Sequence, residues 1–187
     1  MKNSRFFHNS RVPFALTSAI AAMLATQTAH AVVYYWDNNG TTAGYGSAGG
    51  TWASPTVSQW STSTDGTGTP VASITTTGSD ALNFGNGATG LGTGTINVTG
   101  TQNAASLIFA TGSGNIMLSG GSIGSLSNIT VNGSSAATIS SNINGSNINK
   151  NGTGSLTLTG TQTYSGIFRL QEGTLILDET GTLGTRS

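Results

Sequence analysis

The chain has 187 residues, of which Gly, Thr, Ser and Asn supply 99; only 6% are charged, formal charges balance, and cysteine is absent. An ordinary soluble domain is about 25% charged, so phosphate-tracking basic surfaces are excluded, and without cysteine so are disulfides and thiol chemistry. Short aliphatic runs recur through the second half, as disordered Gly/Ser linkers rarely show.

The chain opens on "MKNSRFFHNSRVPFALTSAIAAMLATQTAHA". A basic start (Lys2, Arg5, Arg11), an apolar stretch from about Phe14 to Leu24 and the small-x-small triplet Ala29-His30-Ala31 predict a Sec-type secretory signal peptide over residues 1–31. The apolar stretch falls short of the roughly 20 residues a bilayer span needs. Cleavage after Ala31 would remove both histidines, His8 and His30. What remains has Lys150, Arg169 and Arg186 against Asp37, Asp65, Asp80, Glu172, Asp178 and Glu179, and no transmembrane segment is expected in it.

Residues 32–92 hold all three tryptophans, Trp36, Trp52 and Trp60, and three of the four tyrosines. This aromatic segment is expected to form an N-terminal cap and the first turns of the fold. From residue 93 to 187 the pattern changes to four- or five-residue β-like runs: "TINVT", "SLIFA", "NIMLS", "NITVN", "ATIS", "SLTLT", "IFRL" and "TLILD". They are rich in Ile, Val, Leu and Thr and often alternate. No sustained helical period occurs.

Two of these stretches repeat. "TINVTGTQNAASLIF" and "SLTLTGTQTYSGIF" align with the shared "TGTQ" starting at Thr99 and Thr159, an offset of 60 residues. Three coils of about 20 residues each account for it, within the range of solenoid repeats. The coil predicts Ile96, Val98, Leu156, Leu158, Leu175 and Leu177 pointing inward and Asn97, Thr157 and Ile176 outward. The rival arrangement is an antiparallel meander, in which the Asn-Gly pairs at Asn86, Asn132, Asn144 and Asn151 would form hairpins.

The stretch "KNGTGSLTLTGTQTYSGIFRLQEGTLILDETGTLG", Lys150 to Gly184, resembles the autotransporter-associated β-strand repeat. Lys150, Gly152, Gly154, Leu156, Leu158, Gly160, the Thr163-Tyr164-Ser165-Gly166 step and Gly173-Thr174-Leu175 carry the likeness, and Arg169 departs from it. Upstream, "YYWDNNG" and "SDALNFGNG" look like the opening region of exported proteins with this module. The resemblance implies a right-handed parallel β-helix, extracellular or at a bacterial cell surface. It would be outer-membrane associated if a C-terminal barrel exists, and such a barrel needs many strands of about ten residues.

Candidate sites are few. With no His or Cys after cleavage, no serine has a conventional activating base, and zinc sites lack ligands. Lys150 is expected to be a solvated turn residue rather than a base. β-Helices host glycan-cleaving enzymes, yet the adjacent Asp178 and Glu179 would face opposite sides of a strand, and Asp37, Asp65 and Asp80 would meet only if the aromatic segment folds back. Calcium repeats are missing, since "FGNGATGLGTG" has no aspartate, and "GLGTG" lacks the lysine and helix of a phosphate loop. The Thr-x-Thr units at Thr75/Thr77 and Thr157/Thr159 recur too irregularly for an ice-binding face. Trp36, Trp52 and Trp60, with Tyr34 and Tyr35, would either stack sugars or plug the open end of the solenoid.

The sequence therefore predicts an all-β parallel solenoid with an aromatic N-terminal cap, exported and non-catalytic, acting as a structural stalk or adhesin-like module. A carbohydrate-active or carbohydrate-binding β-helix is the alternative. No catalytic residue, metal or cofactor is expected; surface glycans or other surface proteins are the candidate partners, and nucleic acid is not.

Overall fold

The computed structural model describes residues 30–160 and 162–178. The expected leader lies outside the described residues, apart from His30 and Ala31. The described residues are all-β and wind into a β-solenoid of about five turns, with about 21 residues per turn.

One wall of the coil is a ladder of parallel strands. It contains β1 (Val33–Trp36), β4 (Ala81–Asn86), β8 (Ser106–Phe109), the second half of β10 (Ser122–Val131), the second half of β12 (Asn142–Asn151) and β14 (Phe168–Leu170). Ala81 pairs with Ser106, Ser106 with Asn128, and Asn128 with Asn149, so each rung repeats its predecessor one coil later. The second wall stacks β2 (Thr51–Trp52), β6 (Gly94–Val98), β9 (Asn115–Ser119), β11 (Ala136–Ile139), β13 (Ser155–Leu158) and β15 (Thr174–Leu177), again all parallel. A shorter third ladder joins β7 (Thr101–Asn103) to the first half of β10, whose Ser122 and Ile123 pair with Asn142 and Ile143 of β12. Six rungs about 4.8 Å apart make a body about 24 Å long.

This stacking explains a chain built on Thr, Gly and Ser. Backbone groups of each coil pair with those of its neighbours, so side chains need not supply polarity for that purpose. Strand alternation sends one aliphatic set inward. Ile96, Leu118, Ile139 and Leu158 form a single column through β6, β9, β11 and β13, and all four are buried. Leu82, Leu107 and Ile129 form another. Each fully buried side chain of this size contributes about 1.5–3 kcal/mol.

The two "TGTQ" stretches do lie three coils apart, but their strands are not stacked at the offset the letters suggest. Ile96 registers with Leu158, 62 residues on, rather than with Leu156. Inward parity is kept because the slip is two residues. The motif repeats for a local reason: Gly100 and Gly160 take positive φ at the corner. In each case the following glutamine, Gln102 or Gln162, is buried and donates from Nε2 to the carbonyl of Thr99 or Thr159.

Of the four Asn-Gly pairs, only the first makes a hairpin. Asn86 pairs antiparallel with Thr89 of β5 (Thr89–Gly90). Asn132-Gly133 and Asn151-Gly152 sit at coil corners, and Asn144-Gly145 lies within β12. The first coil is also longer than the rest. Val33 pairs with Ala81, 48 residues later, because the chain makes an excursion across the end of the solenoid before returning. Within it, β3 (Trp60–Ser61) adds to the outer edge of β1 in antiparallel sense. A two-residue strand of opposite direction is a poor template for further pairing, which protects this edge.

Candidate functional site

The excursion carries the aromatic residues. Trp36, Trp52 and Trp60 are each 0% exposed. Trp60 packs edge-on against Trp36 at 4.8 Å and Trp52 at 5.9 Å, then leans on Phe84 at 6.0 Å, which stacks with Phe109 at 4.8 Å. The rings thus run from the end of the solenoid into its axis. Trp36 Nε1 donates to the Gly49 carbonyl and Trp52 Nε1 to Thr76 Oγ1, both at 3.1 Å. In this conformation no indole presents a face on which a sugar could stack.

The excursion also folds back on itself. Gly44 N donates to the Asp65 carbonyl at 2.9 Å and Asp37 N to that of Gln59 at 3.0 Å. This brings the Asp37 and Asp65 loops together around Tyr45, whose ring stacks on Tyr35 at 5.7 Å. Asp80 stands at the opposite end of β1, where Oδ1 accepts from Val32 N at 3.0 Å and Oδ2 from Thr77 N at 2.7 Å. Asp65 Oδ1 accepts from Ser63 Oγ at 2.6 Å, Thr67 Oγ1 at 2.7 Å and Thr67 N, bonds that lower its pKa to about 2. Asp37 is buried, and burial raises its pKa. Among the described residues, no group of three His, Cys, Asp or Glu is placed to hold a metal. Asp178 follows β15, and Glu179 lies outside the described residues.

Tyr45 gives the cap a pH signature. Burial, then the Tyr35 phenol, push its hydroxyl up to about 12, and that hydroxyl donates to the Thr64 carbonyl. A raised folded pKa means the contribution is complete below the unfolded value near 10 and disappears as pH climbs to about 12. The melting temperature should therefore fall more steeply between pH 10 and 12 in the parent than in Tyr45→Phe, as a thermal melt series would show.

Lys150 is the residue that sequence reading misplaced. Instead of a solvated turn residue, it is 0% exposed and occupies the column of Leu107 and Ile129. Its ammonium donates to the carbonyls of Asn151 at 2.9 Å, Gly152 at 2.7 Å and Glu172 at 3.0 Å. Burial lowers its pKa, and the Glu172 charge opposes that. The side chain ties its own corner to the corner of the next coil. Gly173 is part of the same device: at φ +76°, a Cβ there would collide with the Gly152 carbonyl and come within 2.9 Å of Lys150 Nζ. Gly173→Ala should cost about 2 kcal/mol through strain alone, seen as a lower urea midpoint.

The Thr-Tyr-Ser-Gly step has a structural reading too. Thr163 N and Oγ1 both donate to Asn142 Oδ1, at 3.1 and 3.0 Å. Tyr164 turns inward against Phe168 at 5.8 Å. Gly166 takes φ +97° so that Ile167 N can donate to Asn147 Oδ1 at 2.9 Å.

With these roles in place, comparison with known families is informative. Residues 148–177 match the passenger-associated-transport-repeat family. The match begins two residues before Lys150 and ends with β15, so it covers the lysine corner, β13, the Thr-Tyr-Ser-Gly step and the last rung. It is the family whose likeness was read from Lys150 to Gly184. The passenger-associated repeat and the β-solenoid fit an autotransporter passenger-type module. No curated protein and no solved structure matches the chain. No helix among the described residues is long and apolar enough to cross a membrane.

Proposed function

We propose that this chain is an extracellular or surface-exposed passenger-type module, acting as a non-catalytic spacer or adhesive stalk. The observation that carries this reading is the uncharged outer face of the second wall of its continuous parallel stack. On the second wall the outward positions are Asn115, Ala136, Ser155 and Thr174 in one column and Thr95, Met117, Thr138, Thr157 and Ile176 in the next. Neither column contains a charge. Such a surface favours many weak contacts from hydroxyl, amide and methyl groups over one deep site, and affinity then comes from multivalency. The acids support the same reading, because Asp65 and Asp80 are occupied holding loops.

Two assays test it. Antibody against the chain should label intact, unpermeabilised cells, and deleting the gene should reduce attachment to coated surfaces. The purified chain should bind immobilised partners in a density-dependent way without releasing reducing ends from polysaccharides. Reducing-end release, abolished by substituting any of Asp37, Asp65, Asp80, Glu172, Asp178 or Glu179, would replace this reading with the carbohydrate-active one.

A further inference from the structure

Asp37 is a carboxyl group closed off from solvent. It follows β1 directly and is 0% exposed. One oxygen, Oδ1, accepts from Asn39 N at 3.2 Å, while Oδ2 meets no donor among the described residues. The loop around it is fixed. Asp37 N donates to the Gln59 carbonyl at 3.0 Å, Asn38 Nδ2 to the Ser47 carbonyl at 2.8 Å, and Asn38 Oδ1 accepts from Ser47 N at 3.2 Å. Trp36, one residue earlier, belongs to the aromatic cluster, so residue 37 links that cluster to the loop.

An ionised carboxylate in such a place is costly unless a cation or several donors meet it. No cation among the described residues does. Lys150 lies on the fifth rung with its ammonium on three carbonyls, and Arg169 is exposed on the sixth. His30 is exposed and, like Asp80, belongs to the opposite end of β1. The groups that face Asp37 are acidic or phenolic. The Asp65 loop is drawn alongside by the bond from Gly44 N, and the charges of Asp37 and Asp65 both act on the Tyr45 phenol, on which Tyr35 stacks. Asp65 has its own three donors, and its negative charge opposes a second one nearby. The Trp60 indole N–H is buried without an acceptor and does not reach Asp37 Oδ2.

We propose that Asp37 is a protonation latch: the folded excursion holds this side chain as the neutral acid, and loss of its proton loosens the 37–50 loop from the first rung. Burial acts in the direction required, raising the pKa above the ordinary 3.8. A group whose folded pKa is raised contributes stability that is complete below 3.8 and is lost as the pH climbs through the higher folded value. The aromatic end of the solenoid is therefore fastened most tightly in acid surroundings and loosens toward neutral pH. Over that range Asp65, held at about 2, stays ionised, and Tyr45, pushed up to about 12, stays neutral. Of these three groups, Asp37 is the one that changes state.

Asp37→Asn keeps the shape and the Oδ1 acceptor and cannot ionise, so it tests the latch in the full chain. Its melting temperature should lie within about 2 °C of the parent's at pH 3 and exceed it by about 4 °C or more at pH 8. Acrylamide quenching of tryptophan fluorescence should increase with pH in the parent and stay level in the variant. In the parent alone, the Asp37 carboxyl carbon, followed by NMR, should titrate above 3.8. An Asp37→Asn chain that fails to fold, or that melts below the parent at pH 8, would overturn the latch. So would a carboxyl midpoint at or below 3.8, the result expected if the Asn39 amide were turned to donate to an ionised Asp37.

Discussion

Replacing Trp36 with alanine should lower the melting temperature by about 10 °C, corresponding to a loss of about 3–5 kcal/mol. The reason lies in what the ring does at the end of the stack. Trp36 is wholly buried, meets Trp60 edge-on at 4.8 Å and uses its Nε1 on the Gly49 carbonyl. Truncation would open a cavity beneath β3, remove an aromatic pair and leave a carbonyl without its donor. Trp60→Ala should be comparably damaging, because Trp60 touches Trp36, Trp52 and Phe84 at once. Thermal melts of both variants check this. A Trp36→Ala chain that melts like the parent but loses glycan binding would show the indoles to be a ligand platform instead.

The second large effect is expected at Lys150. Lys150→Ala should cost about 3–5 kcal/mol, since it removes a buried side chain and strips three carbonyls of a charged donor. Lys150→Met separates the two contributions. It restores most of the volume within the column of Leu107 and Ile129 but not the bonds, and should cost about 1–3 kcal/mol. Denaturant midpoints of the three chains decide between packing and hydrogen bonding. The pH dependence has a definite sign. A lysine whose folded pKa lies below its unfolded value makes folding more favourable as pH rises toward 10.5. The stability difference between parent and Lys150→Met should therefore move in the parent's favour over that range.

How far the fold was legible depended on which residues filled the inward positions. Every short aliphatic run read from the sequence corresponds to a strand, as with "NIMLS" in β9 and "SLTL" in β13, because alternation in a half-buried strand leaves a direct trace. β12 left almost none. Its ten residues, "NINGSNINKN", offer only Ile143 and Ile148 as aliphatics, and the third inward position near its end is Lys150. A lysine has no standing in a hydrophobic pattern. What makes it a core residue is a ring of carbonyls supplied by the glycine corner and the next coil, and that is visible only once the coils are stacked. The nearby sequence of Lys150, Gly152 and Gly173 hints at this joint, but neither propensity nor periodicity can connect its parts.

The aromatic segment's apolar mass was legible in composition, and its path was not. Three tryptophans and neighbouring tyrosines indicated a large apolar mass. The 48-residue first coil, the reversed edge strand β3 and the hairpin at Asn86 followed from no local pattern. They depend on long-range choices, such as Asp80 reaching Val32 and Asn86 Nδ2 donating to the Thr64 carbonyl. Asp37 belongs to this class as well. In the sequence it is one of three acids in an aromatic region; in the fold it is a buried carboxylate whose neighbouring loops are tied together by Asn38.

The most direct test of parallel, in-register stacking is paired cysteine cross-linking, which the cysteine-free chain permits without background. Ala136 registers with Ser155, and Thr138 with Thr157, on adjacent coils. Cysteine pairs placed at 136 and 155, and separately at 138 and 157, should both form disulfides under mild oxidation while the chain remains folded. If β11 and β13 ran antiparallel, the order of partners would reverse along the strand and these two pairs could not both come within disulfide reach. Ready bridging in both double variants is the expected result; bridging in neither, or in one alone, would contradict the solenoid.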